Sequence, residues 1–446
     1  MIEMKRTALI LAACILLSGC AYSGQAPAEG DGTVSSTFKG TVDFDQYFTP
    51  QRLRLDFVLA GGSQEQHAYL QEMHRECGWV GPRNGLVDKF GYGQYWFEAF
   101  SGNDLVFSKG FCTLFEEWTT TAQASQVEMA ATQTIWMPCP KDSIHVVLYQ
   151  RARKTGMFSR FFECDIDPHD RHINPQPANN FNVTLLEHHG EPAEKVDLLF
   201  IAEGYTEAEM DRFRGDAARF TEYLFSMEPY SHRREDFNIW LVESISEESG
   251  VDIPHWDQWR RTVCNSSFDT FYIDRYLTVM DHRSIAEAAA CAPFDCLFVI
   301  ANDTKYGGGG IYNSYAMGTS GHRLSNEVFI HEFGHSFAAL GDEYYDSEVA
   351  YEDYYPAGVE PWEPNITTLV DFSSKWEDMV EEGLDIPTPN DSAYIGRVGV
   401  FEGAGYMTYG CYRPYYECRM LNNTAPGFCP VCQRAIERMI DYYCGK

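Results

Sequence analysis

The chain has no long apolar run at its N-terminus, no basic excess and no internal repeat, and each absence removes a class of function. The apolar stretch from Ala8 to Leu17 falls short of the ~20 residues that a bilayer-spanning helix needs. The 446 residues carry 34 Lys and Arg against 65 Asp and Glu, a formal net charge of -31. That balance offers nothing to attract phosphate, so neither nucleic acid nor an anionic surface is expected as a partner. It says little about substrate, because acidic side chains can simply form a solvated surface. Without a repeat, solenoid architectures drop out.

The N-terminus carries an export signal instead. Lys5 and Arg6 precede the short apolar core, which closes on Leu17-Ser18-Gly19-Cys20. Those four residues resemble the lipobox of bacterial lipoproteins. The resemblance implies a signal peptide over 1–19 and a lipidated Cys20 as the first mature residue. The expected location is a bacterial membrane, the outer one, facing the periplasm or the cell surface. One acyl chain is a marginal tether, so stable anchoring calls for several. Residues 20–38, rich in Gly, Ala, Ser, Pro and Thr, read as a flexible tether beyond the anchor.

Cysteine usage fits export. Of 14 Cys, Cys14 leaves with the signal and Cys20 is taken by lipid. Four remain in the first half (Cys77, Cys112, Cys139, Cys164) and eight from Cys264 onward. Even numbers in each half suit disulfides within domains of an exported protein. Cys429-Pro430-Val431-Cys432 could also serve a thiol-redox or metal site. With Cys411, Cys418 and Cys444 nearby, a disulfide cluster is the preferred reading.

From 39 to 184 the pattern is short and alternating. The segment Arg52-Leu53-Arg54-Leu55-Asp56-Phe57-Val58-Leu59 alternates polar with apolar and runs into Gly61-Gly62. Such segments between turn residues predict a mainly β domain, a sandwich. Nothing in it assembles a catalytic set, and Trp79, Tyr92, Trp96 and Phe97 read as core rather than as a sugar platform. The character changes over 185–446. Val196–Ala202, Phe237–Val242 and Cys296–Ile300 predict buried strands, and Thr206 with Glu209 predicts a capping box for a helix through Phe225. Strands alternating with helices indicate an α/β domain. Two domains are therefore expected, β then α/β.

The chemistry sits on one segment, Ser325 to Tyr344. Phe329, Phe333, Phe337 and Leu340 recur at helical spacing and predict one buried stripe. His331 and His335 are four apart, so their imidazoles leave one side of the helix a turn apart, the spacing that lets two nitrogens meet one tetrahedral zinc. Glu332 is rotated aside, where it can serve water as a general base without being a ligand. A single catalytic Zn2+ needs a third ligand. Gly341 is placed to end the helix in the left-handed conformation, turning the chain back toward the metal. Asp342 is favoured as third ligand, Glu343 is second, and His322 or a carboxylate beyond 350 are weaker candidates. A neighbouring Tyr or Arg is expected at the developing oxyanion.

Upstream, Gly307-Gly308-Gly309-Gly310 opens the stretch 307–316, whose exposed backbone suits an extended protein or peptide substrate or, equally, a plain hairpin. Downstream, Met420 lies two residues after Cys418, where a soft side chain would suit a turn beneath the site.

These residues resemble the bacterial IgA-peptidase-type zinc metallopeptidases, relatives of the metzincins. The likeness rests on His331-Glu332-Phe333-Gly334-His335 with Gly341-Asp342-Glu343-Tyr344, and on Tyr412-Arg413-Pro414 with Cys418-Arg419-Met420. It covers 185–446, and the preceding β domain resembles the one found in such proteins. The resemblance implies His331, His335 and Asp342 as metal ligands and Glu332 as general base. It also implies Met420 as the methionine of the turn below the metal, with Tyr412 as the tyrosine on the oxyanion side. One departure stands out. The usual metzincin pattern has glycine seven residues after the first histidine and the third ligand ten after it. Here those positions hold Ala338 and Gly341, and Asp342 is eleven after, so the chain must leave the helix differently. IgA cleavage belongs to some members only, and no residue here specifies an immunoglobulin hinge.

The implied function is zinc-dependent endopeptidase action on extracellular or host proteins. Its competitors are a catalytically silent binding or adhesion lipoprotein on the same scaffold, a glycan-binding lipoprotein working through the β domain, and a metal-dependent amidase acting on peptide conjugates. The intact His331, Glu332 and His335 favour the enzyme. Oligomeric state has no signature in the sequence.

Overall fold

The computed structural model of the chain describes residues 40–446 apart from 291 and 346–353. The export signal, Cys20 and the tether expected over 1–38 lie outside the described residues. Among those described, no helix is long and apolar enough to cross a membrane.

The chain opens with a short helix α1 (Phe44–Tyr47), then β1 (Phe48–Gly61), β2 (Gln66–Glu76), β3 (Tyr95–Ser101) and β4 (Asp104–Phe111). A second short helix, α2 (Leu114–Thr119), precedes β5 (Met129–Pro140), β6 (Ile144–Arg151), β7 (Phe158–Ile166) and β8 (Ile173–Asn174). These strands form two four-stranded sheets, ordered β5-β1-β2-β8 and β4-β3-β6-β7. Leu53, Leu55, Phe57 and Leu59 of β1 share one core with Phe97, Ala99, Val146 and Leu148 of the other sheet. That is the expected sandwich, built by alternate apolar residues pointing inward. Trp96 and Phe97 are fully buried, while Trp79 and Tyr92 are half-buried and pack against core rings.

The polar side of β1 is the surprise. Arg52, Arg54 and Asp56 are buried as deeply as the leucines between them. Arg54 pairs with Asp56 at 2.6 Å and Glu76 at 3.4 Å, and Arg52 pairs with Glu76 at 2.8 Å. They are covered by the second domain. The Arg52 guanidinium donates to the Ala290 carbonyl at 3.2 Å, and Thr132 donates to Asp281 at 2.7 Å. Buried charges persist when paired and hydrogen-bonded, so this face is an interdomain seam rather than a solvated one.

The second domain contains β9 (Asn182–Glu187), β10 (Val196–Glu203), α3 (Met210–Leu224), β11 (Phe237–Glu243), α4 (His282–Ala289) and β12 (Cys296–Ala301). It continues with β13 (Gly308–Ile311), β14 (Tyr315–Thr319), α5 (Ser325–Ala338), β15 (Phe401–Ala404), β16 (Met407–Arg413) and α6 (Pro430–Tyr443). Six strands form one sheet, ordered β13-β14-β12-β10-β11-β9. Its interior pairs are parallel, and only the edges β9 and β13 run antiparallel. Every residue of β10 is buried, as parallel strands beneath helices require. The capping box at Thr206 and Glu209 forms as predicted, with a short 3-10 turn before α3. Phe220 of α3 stacks on Phe329 of α5 at 4.8 Å, and Phe298 of β12 meets Phe329 edge-on at 4.7 Å. This packing clamps α5 to the sheet and fixes what its other residues face.

Candidate metal centre and cleft

The predicted stripe is buried, with Phe329, Phe333 and Phe337 of α5 and Leu340 just past its end each at most 2% exposed. His331 and His335 look into a cleft of about 350 Å³. Their Nε2 atoms stand 3.1 Å apart. The Nδ1 of His331 faces the Arg419 carbonyl at 3.1 Å, and that of His335 faces the Leu340 carbonyl. A carbonyl only accepts, so each Nδ1 must carry the proton and each Nε2 presents a lone pair.

Asp342 completes the set. Its Oδ1 lies 3.1 Å from His331 Nε2 and 3.2 Å from His335 Nε2, buried and without a hydrogen-bond donor. Its Oδ2 accepts the Tyr406 hydroxyl. Three electron-rich atoms converging in a buried place repel one another unless a cation joins them. For zinc with ligands at about 2.0–2.1 Å, the edge of a tetrahedron is about 3.3–3.4 Å, close to the separations seen. The residues fit a metal ion. Burial pushes the Asp342 carboxyl up, but the two imidazoles hold it well below its ordinary value. Burial pulls His335 down, and Asp342 more than reverses this, lifting it to about 9. A metal ion would displace the proton that Asp342 draws onto His335 and meet the Nε2 lone pair. Glu332 lines the same cleft, and burial raises its carboxyl against the downward pull of His331 and His335.

The way the chain leaves α5 corrects one expectation. Ala339, with φ of 59°, takes the left-handed cap, and Gly341 does not. Gly341 is needed for close approach: a Cβ there would sit 2.7 Å from Ile366 Cδ1. Its backbone is held at both ends by the Asn365 amide, at 2.7 and 2.9 Å. Glu343, the second candidate for third ligand, turns away from the histidines and accepts from Asn365 at 3.0 Å. His322 stands against the Tyr306 ring instead, outside the trio. Met420 is fully buried under the helix, its sulfur 3.1 Å from where a Cβ on Gly334 would be.

Tyr412 does not line the cleft; it sits on β16, its backbone paired with Thr367. Arg275, Tyr306, Tyr344 and Tyr406 line it instead. Tyr344 closes the motif Gly341-Asp342-Glu343-Tyr344, whereas Arg275, Tyr306 and Tyr406 lie in no spacing that the sequence makes conspicuous. The β domain also reaches the cleft, through Glu116 and Glu117 of α2. Glu116 pairs with Arg153 at 3.4 Å, and burial lifts its carboxyl to about 8. The edge strand β13 borders the cleft, but it is not bare. Tyr276 bridges to Gly308, and Cys112 N–H donates to the Tyr312 carbonyl at 2.9 Å.

Comparison with known families agrees with this arrangement. The profile of IgA Peptidase M64 matches residues 184–395 and 390–440. The profile of Peptidase M64 N-terminus matches residues 43–162, the sandwich. No match was found among curated proteins. A β sandwich followed by an α/β domain, with two histidines and an aspartate converging in its cleft, carries the signature of both parts. The chain belongs to the IgA Peptidase M64 family and is a metallopeptidase.

Proposed function

We propose that the chain is a zinc-dependent endopeptidase acting on extracellular or host proteins, with His331, His335 and Asp342 as ligands and Glu332 as general base. The observation that carries this reading is the meeting of two Nε2 lone pairs with an unpartnered carboxylate oxygen, all within 3.2 Å. A zinc ion held there would leave a fourth position for water and supply Lewis acidity. Glu332 takes the proton from the water that attacks the scissile carbonyl, then delivers it to the departing amine. A carboxyl raised by burial suits both halves of that transfer, since it is neither too weak to accept nor too strong to give back. Arg275 and Tyr306, on the same cleft, supply donors for the oxyanion in the role first assigned to Tyr412. The peptide lies extended in the cleft, beside the backbone from Gly309 to Ile311, between the two anchors of β13.

The test is metal content and peptide-library cleavage, measured side by side on the unmutated protein and Glu332→Gln. One ion at the histidine site in both, with turnover reduced roughly 10²–10⁴-fold in the variant, supports the assignment. Equal cleavage by both would remove Glu332 from the mechanism. Failure to retain metal after reconstitution would remove the histidines as ligands.

A further inference from the structure

Behind the catalytic ligands, the residue next to Asp342 enters a second cluster that the proposed reaction does not use. Glu343 is fully buried and meets Cys418, Cys429 and Cys432, also buried, with one ligand atom from each lying within 4.8 Å of all the others. The sequence favours disulfides here. In the structure every described cysteine carries an unpaired sulfur. Cys418 Sγ and Cys432 Sγ stand 3.7 Å apart, far from the roughly 2.05 Å of a disulfide. That separation matches the edge of a tetrahedron with zinc–sulfur bonds of about 2.3 Å, which is about 3.8 Å. Glu343 Oε1 lies 3.1 Å from Cys432 Sγ and 4.0 Å from Cys429 Sγ. These bracket the ~3.5 Å expected between oxygen and sulfur on one such ion.

We propose that Cys418, Cys429, Cys432 and Glu343 form a second, closed metal site for a thiophilic divalent cation of the zinc class. Backbone donors face two of the sulfurs. Cys429 N–H points at Cys418 Sγ at 3.3 Å, and Cys432 N–H points at Cys429 Sγ at 3.5 Å. Cys429 caps the N-terminus of α6, whose backbone dipole favours anions at that end. The buried Arg413 acts on Glu343, and Asn365 donates to its Oε1. Glu343 Oε2 is buried with no partner at all, a costly arrangement for a carboxylate without a cation. Binding releases the three thiol protons to solvent. Four protein ligands leave no open position, so the site is structural rather than catalytic.

Its place in the chain gives it a second effect. Asp342 and Glu343 are consecutive, so one peptide unit would join the two metal sites. Glu343 N–H donates to the Met420 carbonyl at 2.9 Å, and Arg419, next to Cys418, holds His331 through its own carbonyl. The second ion therefore staples the chain that positions two catalytic ligands.

Cobalt substitution of the full chain tests this without relying on activity. Cobalt bound to thiolate gives an intense sulfur-to-metal charge-transfer band in the near ultraviolet, and the sulfur-free catalytic site gives none. The expected result is two cobalt ions per chain with that band. His331→Ala with His335→Ala should lose one ion and keep the band. Cys432→Ser should lose the other ion and the band, and weaken metal binding at the catalytic site about 10–100-fold. If Cys432→Ser fails to fold, the unmutated chain and the histidine variant still decide. A single ion without the band, or native peptides showing Cys418, Cys429 or Cys432 in disulfides, would overturn the proposal. Because the band belongs to sulfur, it stands or falls apart from the assignment of the histidine site.

Discussion

At the scale of single residues, the two oxygens of Asp342 are given different tasks. Oδ1 faces both imidazoles without a donor, while Oδ2 is turned the other way by the Tyr406 hydroxyl. A ligand whose second oxygen is tethered pays less entropy on binding, and such outer partners typically contribute 10–100-fold in metal affinity. Tyr406→Phe removes only a hydroxyl. Metal should still bind at His331 and His335, but roughly tenfold more weakly, as measured by competition with a chelator. An unchanged affinity would mean that Tyr406 merely packs. The convergence of His331, His335 and Asp342 beside Glu332 was legible in the sequence because the two histidines and Glu332 keep a fixed spacing on one helix and Asp342 follows its end. Tyr406, Arg275 and Tyr306 were not, because each arrives from a different loop and no local period marks it. Tyr412 lies outside the cleft lining for a related reason: the motif locates a strand, whereas which residues face the cleft depends on tertiary packing.

At the scale of elements, the cap of α5 and the strand beside it set the cleft. The departure from the usual spacing has a simple account. The left-handed cap falls on Ala339, eight residues after His331, and the proposed ligand is Asp342, eleven after it. Both are displaced by one residue from the common pattern, so the distance from cap to ligand is preserved. Glycine was expected at the cap because it takes positive φ at no cost, whereas alanine costs about 1–2 kcal/mol there. Burial of the Ala339 methyl, worth roughly 0.8 kcal/mol, recovers part of that. Glycine is indispensable on β13 instead. A Cβ on Gly310 would lie 2.3 Å from the Glu332 carbonyl oxygen and 3.0 Å from His335 Cβ. Gly310→Ala must push the edge strand off the catalytic helix. We expect a loss of about 1–3 kcal/mol in urea unfolding, with kcat falling more than KM rises, because the displaced atoms belong to the turn bearing Glu332. A variant with normal stability and kcat would show that β13 is free to move away.

At the scale of the whole molecule, the two domains are held by groups that the sequence marks as surface. The alternation in β1 located its apolar side correctly. Its polar side is buried because α4 and its flanks cover it, and no property of β1 alone could reveal that. His282 of α4 lies in this seam. Its Nδ1 accepts the Thr134 N–H at 3.2 Å, so its Nε2 carries the proton, buried and without a partner. A second proton would charge the ring where water cannot reach it. Burial lowers its pKa from 6.5 to about 4; Arg54 also lowers it, while Asp56 and Asp281 oppose the fall. The sign follows from the unfolded chain, which takes up the proton near pH 6.5 while the folded chain refuses it until about pH 4. Above pH 6.5 both forms are neutral and the full stability is present. As pH falls through this window stability is lost, by about 2–3 kcal/mol at pH 4.5. Buried carboxylates such as Glu116 titrate with the opposite sign, so the total curve alone cannot isolate one group. Comparison with His282→Asn can, because the amide oxygen can still accept from Thr134 but does not titrate. Urea unfolding at pH 7 and pH 4.5 should show the unmutated protein losing about 2–3 kcal/mol more than the variant. Equal losses would mean that the seam opens to solvent before His282 is charged, and that the two domains part more readily than their buried ion pairs suggest.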